Sequence, residues 1–283
     1  MIDKNTKILI VGLGLMGGSY ADAFSYAGYE VGAIDTNEDS IKYALNRGLI
    51  KHGKSSVDAE YVGMFDIIVF ALYPTAFENW IKDNQKYIKK NAIITDVTGV
   101  KQCIIYNIQN ILREDLEYVG AHPMAGKESS GVQNADKAIF MKANYIVTPT
   151  EANSKQAIDV CKDIGELLGF KTITVLSPEK HDEMIAFLSQ LTHTIAVSLM
   201  TCRDSEHFID YTGDSFRDLT RIAKINDEMW SELFLLNKEM LLEQMDLFKK
   251  QFDILRDRIE ASDREGIREI LRQSTEKREK FDK

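Results

Sequence analysis

KILIVGLGLMGGS, residues 7 to 19, joins a strand-like run to a glycine-rich turn. A short apolar run, Lys7–Val11, feeds directly into Gly12-Leu13-Gly14-Leu15-Met16-Gly17, and an amphipathic stretch of helical spacing follows. A strand that delivers a G-x-G-x-x-G turn to the start of a helix is the dinucleotide fingerprint in its required setting. The glycines permit a tight turn, let backbone approach a pyrophosphate, and bring helix close to sheet, while the helix N-terminus attracts the negative charge. A second apolar run, Glu30–Ile34, ends at Asp35, about 20 residues beyond the turn, where an acid binds a ribose 2′-hydroxyl. An acid there repels a 2′-phosphate, and Thr36 and Asn37 offer no arginine to receive one, so NAD is expected over NADP. The structural alternative is that Asp35 caps the helix expected over Asn37–Arg47.

The rest of the first 176 residues repeats that alternation. Short Val/Ile/Leu-rich runs at Ile67–Leu72, Ala92–Thr95, Tyr118–Ala121, Tyr145–Thr148 and Thr172–Val175 are separated by longer amphipathic stretches. Continuous apolar runs suit parallel strands covered on both faces, and the ligand crevice then lies at their carboxyl ends. Tyr73-Pro74 falls at that crevice, near the nicotinamide half, or is a plain turn proline. Residues 1–176 are therefore expected to form a Rossmann-type α/β domain with a mostly parallel sheet.

From Ser177 the period changes to helical, which makes residues 177–283 an all-α domain. Ser177-Pro178 reads as an N-cap and first-turn proline. Met184, Phe187, Leu188, Leu191, Ile195 and Leu199 then form one apolar face, expected to be buried along much of its length. Leu241, Met245, Phe248, Phe252, Leu255 and Ile259 keep near-heptad spacing, which suits packing against a helix of a second subunit or of the same chain. The charged stretch from Ser262 reads as a surface helix.

Composition excludes several classes. With 35 Lys plus Arg against 44 Asp plus Glu, the net charge is −9, and no basic block gathers to follow a phosphate backbone, so nucleic acid is not an expected partner. The N-terminal stretch lacks the apolar run of a signal peptide or membrane span, so a cytoplasmic protein with no membrane association is expected. Cys103, Cys161 and Cys202 are odd in number and widely spaced, which signals neither disulfides nor a metal site, and they read as core thiols.

A redox cofactor needs a substrate carbon that gives or takes hydride, and an alcohol donor also needs a proton acceptor. His122, in GAHPMAGKESSG (residues 120 to 131), ends an expected strand at the ligand edge, and imidazole titrates nearest neutrality. Position alone equally allows a histidine satisfied by backbone in a turn with Pro123.

Together with Asp96-Val97-Thr98-Gly99-Val100-Lys101, His122-Pro123-Met124-Ala125-Gly126, His181-Asp182, Ser189-Gln190-Leu191-Thr192-His193 and Phe216-Arg217-Asp218-Leu219-Thr220-Arg221-Ile222-Ala223, these features resemble the TyrA family of prephenate and arogenate dehydrogenases nearly end to end. The resemblance implies oxidative decarboxylation of prephenate by NAD, giving 4-hydroxyphenylpyruvate, in tyrosine biosynthesis. It implies His122 as general base, His193 as a second active-site histidine, and Arg221 as the carboxylate-binding arginine, with Asp218 one turn away to orient it. It further places His181 near the mouth of the cleft, Glu128 near His122, and Trp230 against the substrate, in its own or a partner subunit of a homodimer formed through the helical domain. The sequence runs on only briefly past that domain, so no appended regulatory domain is expected.

Two departures bear on activity. Family members commonly carry serine where this chain has Gly99, which leaves Thr98 as the hydroxyl available beside the histidine. Asp214 adds an acid before Phe216, which keeps arogenate, with its amino group, as an alternative substrate. Two other readings are a β-hydroxyacid dehydrogenase or imine reductase, using Lys101 as acid/base, and an NAD-sensing protein without catalysis.

Overall fold

The computed structural model describes residues 2–127, 129–203 and 207–281. The strands are β1 (Lys7–Val11), β2 (Glu30–Ile34), β3 (His52–Lys54), β4 (Ile67–Phe70), β5 (Ile93–Asp96), β6 (Glu117–Tyr118), β7 (Gly120–Pro123), β8 (Asn144–Thr148) and β9 (Thr172–Val175). The nucleotide half carries helices α1 (Leu15–Tyr26), α2 (Glu38–Asn46), α3 (Ala59–Val62), α4 (Pro74–Asn84), α5 (Gln102–Ile111) and α6 (Lys155–Leu167). The helical half carries α7 (Pro178–Ile185), α8 (Leu191–Thr201), α9 (Asp214–Thr220), α10 (Asp227–Leu236), α11 (Lys238–Glu260) and α12 (Arg264–Arg278).

The first six strands make one parallel sheet in the order β3-β2-β1-β4-β5-β6. Strand order reverses between β1 and β4, which opens the crevice in which such sheets take ligands. Apolar residues cover both faces, and Leu233 of α10 joins the cluster on the α4–α5 side, so the helical half is packed into the nucleotide half.

The expected strand Tyr118–Ala121 is two strands. Val119 donates to the Ile94 carbonyl at 3.0 Å, but the next ladder donor, Ala121 N–H, is taken by the Asp96 carboxylate at 3.1 Å. The chain leaves the main sheet there, and β7 pairs antiparallel with β8, which pairs parallel with β9, in a separate small sheet. β3 was not legible in sequence, being a polar edge strand with no apolar pattern.

The helical half leaves much of its apolar surface open. α7, a wide π-turn at Ala186–Gln190 and α8 form one continuous helix, Pro178–Thr201, long and apolar enough by length and composition to cross a membrane. Its expected buried face is only partly buried within the chain: Leu191 is 4% exposed, but Phe187 is 53% and Leu188 52% exposed. The heptad stripe of α11 behaves alike, with Leu241 buried but Phe252 and Ile259 each 59% exposed. Of the thiols expected in the core, Cys161 is buried, Cys103 half-buried and Cys202 exposed beyond the end of α8.

Candidate active site

At the β1–α1 turn, Gly12 has φ +96°, and a Cβ there would stand 2.5 Å from the Ala71 carbonyl oxygen. A Cβ on Gly17 would stand 1.9 Å from the Gly12 oxygen, so that glycine sets how closely α1 meets the turn. Gly14 faces open space, and as N-cap of α1 it supplies no side-chain cap. An uncapped helix N-terminus beneath open space, with Leu13, Leu15 and Met16 completing the turn, fits a dinucleotide pyrophosphate. Asp35 does not cap α2; Asn37 does, accepting from Asp39 and Ser40. Instead Asp35 accepts from Leu13 N at 2.5 Å and Asn37 N at 2.7 Å, so the acid is fixed against the glycine turn. Pro74 opens α4, with Tyr73 as its N-cap residue, and the Tyr73 hydroxyl accepts from Asn226 Nδ2 at 3.1 Å. Thr75 N–H donates to Glu232 at 2.8 Å, so α10 is clasped to the end of β4 beside the cofactor crevice.

His122 sits in β7, partly buried, with its Nδ1 2.8 Å from Nε2 of His181. His181 Nδ1 lies 2.7 Å from Asp182 Oδ1. The Asp182 carboxylate also accepts from the backbone N–H groups of Lys101 and Gln102, each at 2.8 Å, which caps α5 from the other domain. Burial first, then the facing His181 and Lys101, holds the His122 pKa well below the ordinary imidazole value. Burial also lowers that of His181, against the raising effect of Asp182. His181 is 0% exposed, which corrects its expected place at the cleft mouth: it is buried on the Nδ1 side of His122.

Beside this row, Asp96 is a buried hub. Oδ1 accepts from the Tyr118 hydroxyl at 3.0 Å and Ala121 N, while Oδ2 accepts from Thr98 N at 2.9 Å, the Thr98 hydroxyl, and Lys101 Nζ at 2.5 Å. Lys101 also donates to Thr98 Oγ1 at 2.9 Å. The Thr98 hydroxyl is thus committed to Asp96 and Lys101, and it does not replace the hydroxyl missing at Gly99. Lys101, 0% exposed, is likewise committed to Asp96 and Thr98, which argues against the acid/base role a β-hydroxyacid reading gives it. Gly99 itself is well placed: a Cβ on it would lie 3.9 Å from His122 Nε2 and 3.4 Å from Leu233 Cδ1.

His193 donates from Nδ1 to the Ser189 carbonyl at 2.9 Å, burial lowers its pKa, and its ring lies on Trp230 of the same chain with centroids 3.8 Å apart. The turn Arg221–Ala223 packs on α8, the helix that carries His193. Arg221 and Asp218 are exposed, and Asp214 pairs with Arg217 at 3.5 Å. Glu128 lies outside the described residues. His52 and His207 are exposed.

His181 and His193 are twelve positions apart, which in a regular helix leaves them about 120° out of line. The π-turn absorbs one extra residue and reduces this to about 20°. Burial records the slip: positions 181, 182, 185 and 186 are buried, then 190 and 191. The buried Gln190 and Asn237 fix the turn, since Gln190 Nε2 donates to the Leu233 carbonyl at 3.0 Å and Asn237 Nδ2 to Gln190 Oε1 at 2.8 Å.

Sequence reasoning missed Asp182 as a partner of His181, the Asp96 hub, Leu233 and the Gln190–Asn237 brace. The adjacent pair His181-Asp182 was a usable signal; the others are long-range contacts that no local pattern announces.

A family model described as prephenate dehydrogenase, nucleotide-binding domain, matches residues 24–174, and one described as prephenate dehydrogenase, dimerization domain, matches 177–273. The prephenate dehydrogenase of Bacillus subtilis (strain 168) is 30% identical over 275 residues, covering 94% of this chain and 74% of that protein. The cyclohexadienyl dehydrogenase of Zymomonas mobilis is 28% identical over 280 residues, covering 96% and 94%. Among solved structures, prephenate dehydrogenase from A. aeolicus in complex with hydroxyphenyl propionate and NAD+ superposes with a TM-score of 0.89, at 30% identity and 98% coverage of both chains.

Proposed function

The chain belongs to the prephenate dehydrogenase family, and on that premise we propose that it converts prephenate to 4-hydroxyphenylpyruvate with NAD, in tyrosine biosynthesis. It is an NAD-dependent oxidoreductase with a Rossmann-type nucleotide domain and a helical C-terminal domain. The observation that carries the reading is His122 Nε2, turned toward Gly99 and away from His181, in a chain whose β1–α1 turn fits a dinucleotide.

Bound NAD supplies the hydride acceptor. His122 Nε2 takes the proton of the ring hydroxyl as the C–H electron pair leaves that carbon and the C–O bond becomes a carbonyl. The ring carboxylate then departs as carbon dioxide, and its bond pair flows through the ring to the carbonyl oxygen, which recovers the proton from His122 as a phenol. The low His122 pKa keeps the base neutral before the reaction. Arg221, whose planar fork suits a carboxylate, binds the substrate side chain with His193 and Trp230, and Asp218 orients Arg221.

The exposed apolar faces of α8 and α11, within the span matched by the dimerization model, are the surface of a homodimer and not a membrane face. The long helix that could span a bilayer by length also carries buried, partnered His181, Asp182 and Gln190, which lipid would not accommodate. We place the enzyme in the cytoplasm. Light scattering at micromolar concentration should give twice the chain mass, and a monomer would overturn the dimer.

The activity test is a side-by-side assay of prephenate and arogenate with NAD and NADP. NADH formation with prephenate is expected, and its absence with both substrates would overturn the function. Preferential turnover of arogenate would transfer the reading to the amino-acid substrate, as Asp214 allows.

A further inference from the structure

We propose that Asp182 and His181 are positioning residues that fix His122 in the tautomer a base requires, so that a group on the helical domain makes the histidine of the nucleotide domain competent. The proposal rests on reading His122 as the base. A carboxylate can only accept hydrogen bonds, so the His181 nitrogen 2.7 Å from Asp182 Oδ1 carries the proton. A neutral imidazole has one N–H, which leaves His181 Nε2 as a bare acceptor. The His122 Nδ1 at 2.8 Å must then be the donor, and His122 Nε2, on the Gly99 side, is left with its lone pair free. The opposite arrangement would put a bare His181 nitrogen against a carboxylate in a fully buried setting, since His181 is 0% and Asp182 2% exposed.

The anchor of this row is unusual in where it comes from. Asp182 stands in α7, at the start of the helical domain, and is held by two backbone donors of the nucleotide domain, Lys101 N and Gln102 N. α5 has no side-chain cap of its own, so Asp182 serves both as that cap and as the end of the histidine row. A shift of α7 relative to α5 would therefore loosen the helix cap and release the His122 tautomer together. The alignment of carboxylate, imidazole and reacting proton is the logic by which a buried acid orients a catalytic histidine elsewhere, lengthened here by one imidazole.

Two measurements test it on the full-length protein. In 15N-histidine-labelled protein, the wild-type His122 should give the nitrogen shifts of an Nδ1–H tautomer, and Asp182→Asn should move it toward Nε2–H. Asp182→Asn and His181→Asn, the second keeping an N–H toward Asp182 while removing the acceptor, should lower kcat by at least about tenfold while leaving the KM values for substrate and NAD within about threefold. An Nε2–H tautomer in the wild type, or kcat within twofold of wild type in His181→Asn, would overturn the proposal. The wild-type spectrum decides even where Asp182→Asn fails to fold. It also decides where neither prephenate nor arogenate is turned over, an outcome that would sink the functional reading alone.

Discussion

Lys101 Nζ lies 2.5 Å from Asp96 Oδ2, with both side chains wholly shielded from solvent. Lys101→Met would leave the Asp96 carboxylate buried without its counter-ion, and losing one partner of such a pair costs about 3–5 kcal/mol. Urea denaturation should show that loss, with the Lys101→Met/Asp96→Asn double variant less destabilised than the sum of the single changes. Additive losses would mean that the two groups stabilise the fold separately.

Gly99 has room for a side chain in the direction of His122 Nε2, since its nearest neighbours would be in ordinary contact at 3.4 to 3.9 Å. Gly99→Ser should fold with an unchanged melting temperature and place a hydroxyl within reach of both the base and the substrate hydroxyl. One added hydrogen bond is worth about 0.5–1.5 kcal/mol, so kcat/KM should rise between about twofold and tenfold. A fall in kcat/KM would show that the space at Gly99 is needed by the substrate itself.

His122→Asn should reduce kcat by about 10²- to 10⁴-fold with little change in KM, the usual contribution of a general base. Because burial, His181 and Lys101 keep His122 neutral to well below the usual 6.5, the acid limb of the wild-type kcat/KM profile should lie below that pH. A limb above pH 6.5 would contradict the assignment of His122 as the titrating base.

Arg221→Ala should mainly raise the substrate KM, and Arg221→Lys should recover only part of the loss because an ammonium cannot make the planar two-point contact. Steady-state kinetics separates the cases: an unchanged KM in both variants would remove Arg221 from the substrate site.

His122 and His181 both hold folded-state pKa values below 6.5 through burial. Between those values and 6.5 the unfolded chain binds more protons than the native one, so stability falls as pH drops through that window and is flat above it. Each histidine contributes a slope of at most ~1.4 kcal/mol per pH unit. Chemical denaturation from pH 7.5 downward should follow this, and His122→Asn should flatten the slope.

The nucleotide half was readable because its strands are local patterns: Lys7–Val11, Glu30–Ile34 and Thr172–Val175 fall where the apolar runs end, and the glycine turn needs only its neighbours. Asp35 was legible as the acid closing the second strand, about 20 residues past the turn, though its bond to Leu13 was not. What escaped depends on residues remote in sequence. The division of Tyr118–Ala121 hangs on the Asp96 side chain, and the commitment of the Thr98 hydroxyl on Lys101. Phe187 and Leu188 were correctly read as one apolar face, yet periodicity does not say which surface covers it, and among the described residues nothing does so fully.

The wide turn at Ala186–Gln190 gives the long helix the behaviour of a vernier. Its first half is keyed to the nucleotide domain through Asp182, and its second half to Trp230 through His193. In an ordinary helix, losing a residue swings everything beyond it by about 100°. Here the surplus residue is already stored, so a single deletion within 186–190 would relax the turn into regular helix while both histidines kept their bearing. The same deletion a turn earlier or later would part them. Length differences among related chains should therefore collect in this one turn, which makes it the place where the helix can change size without changing what it points at.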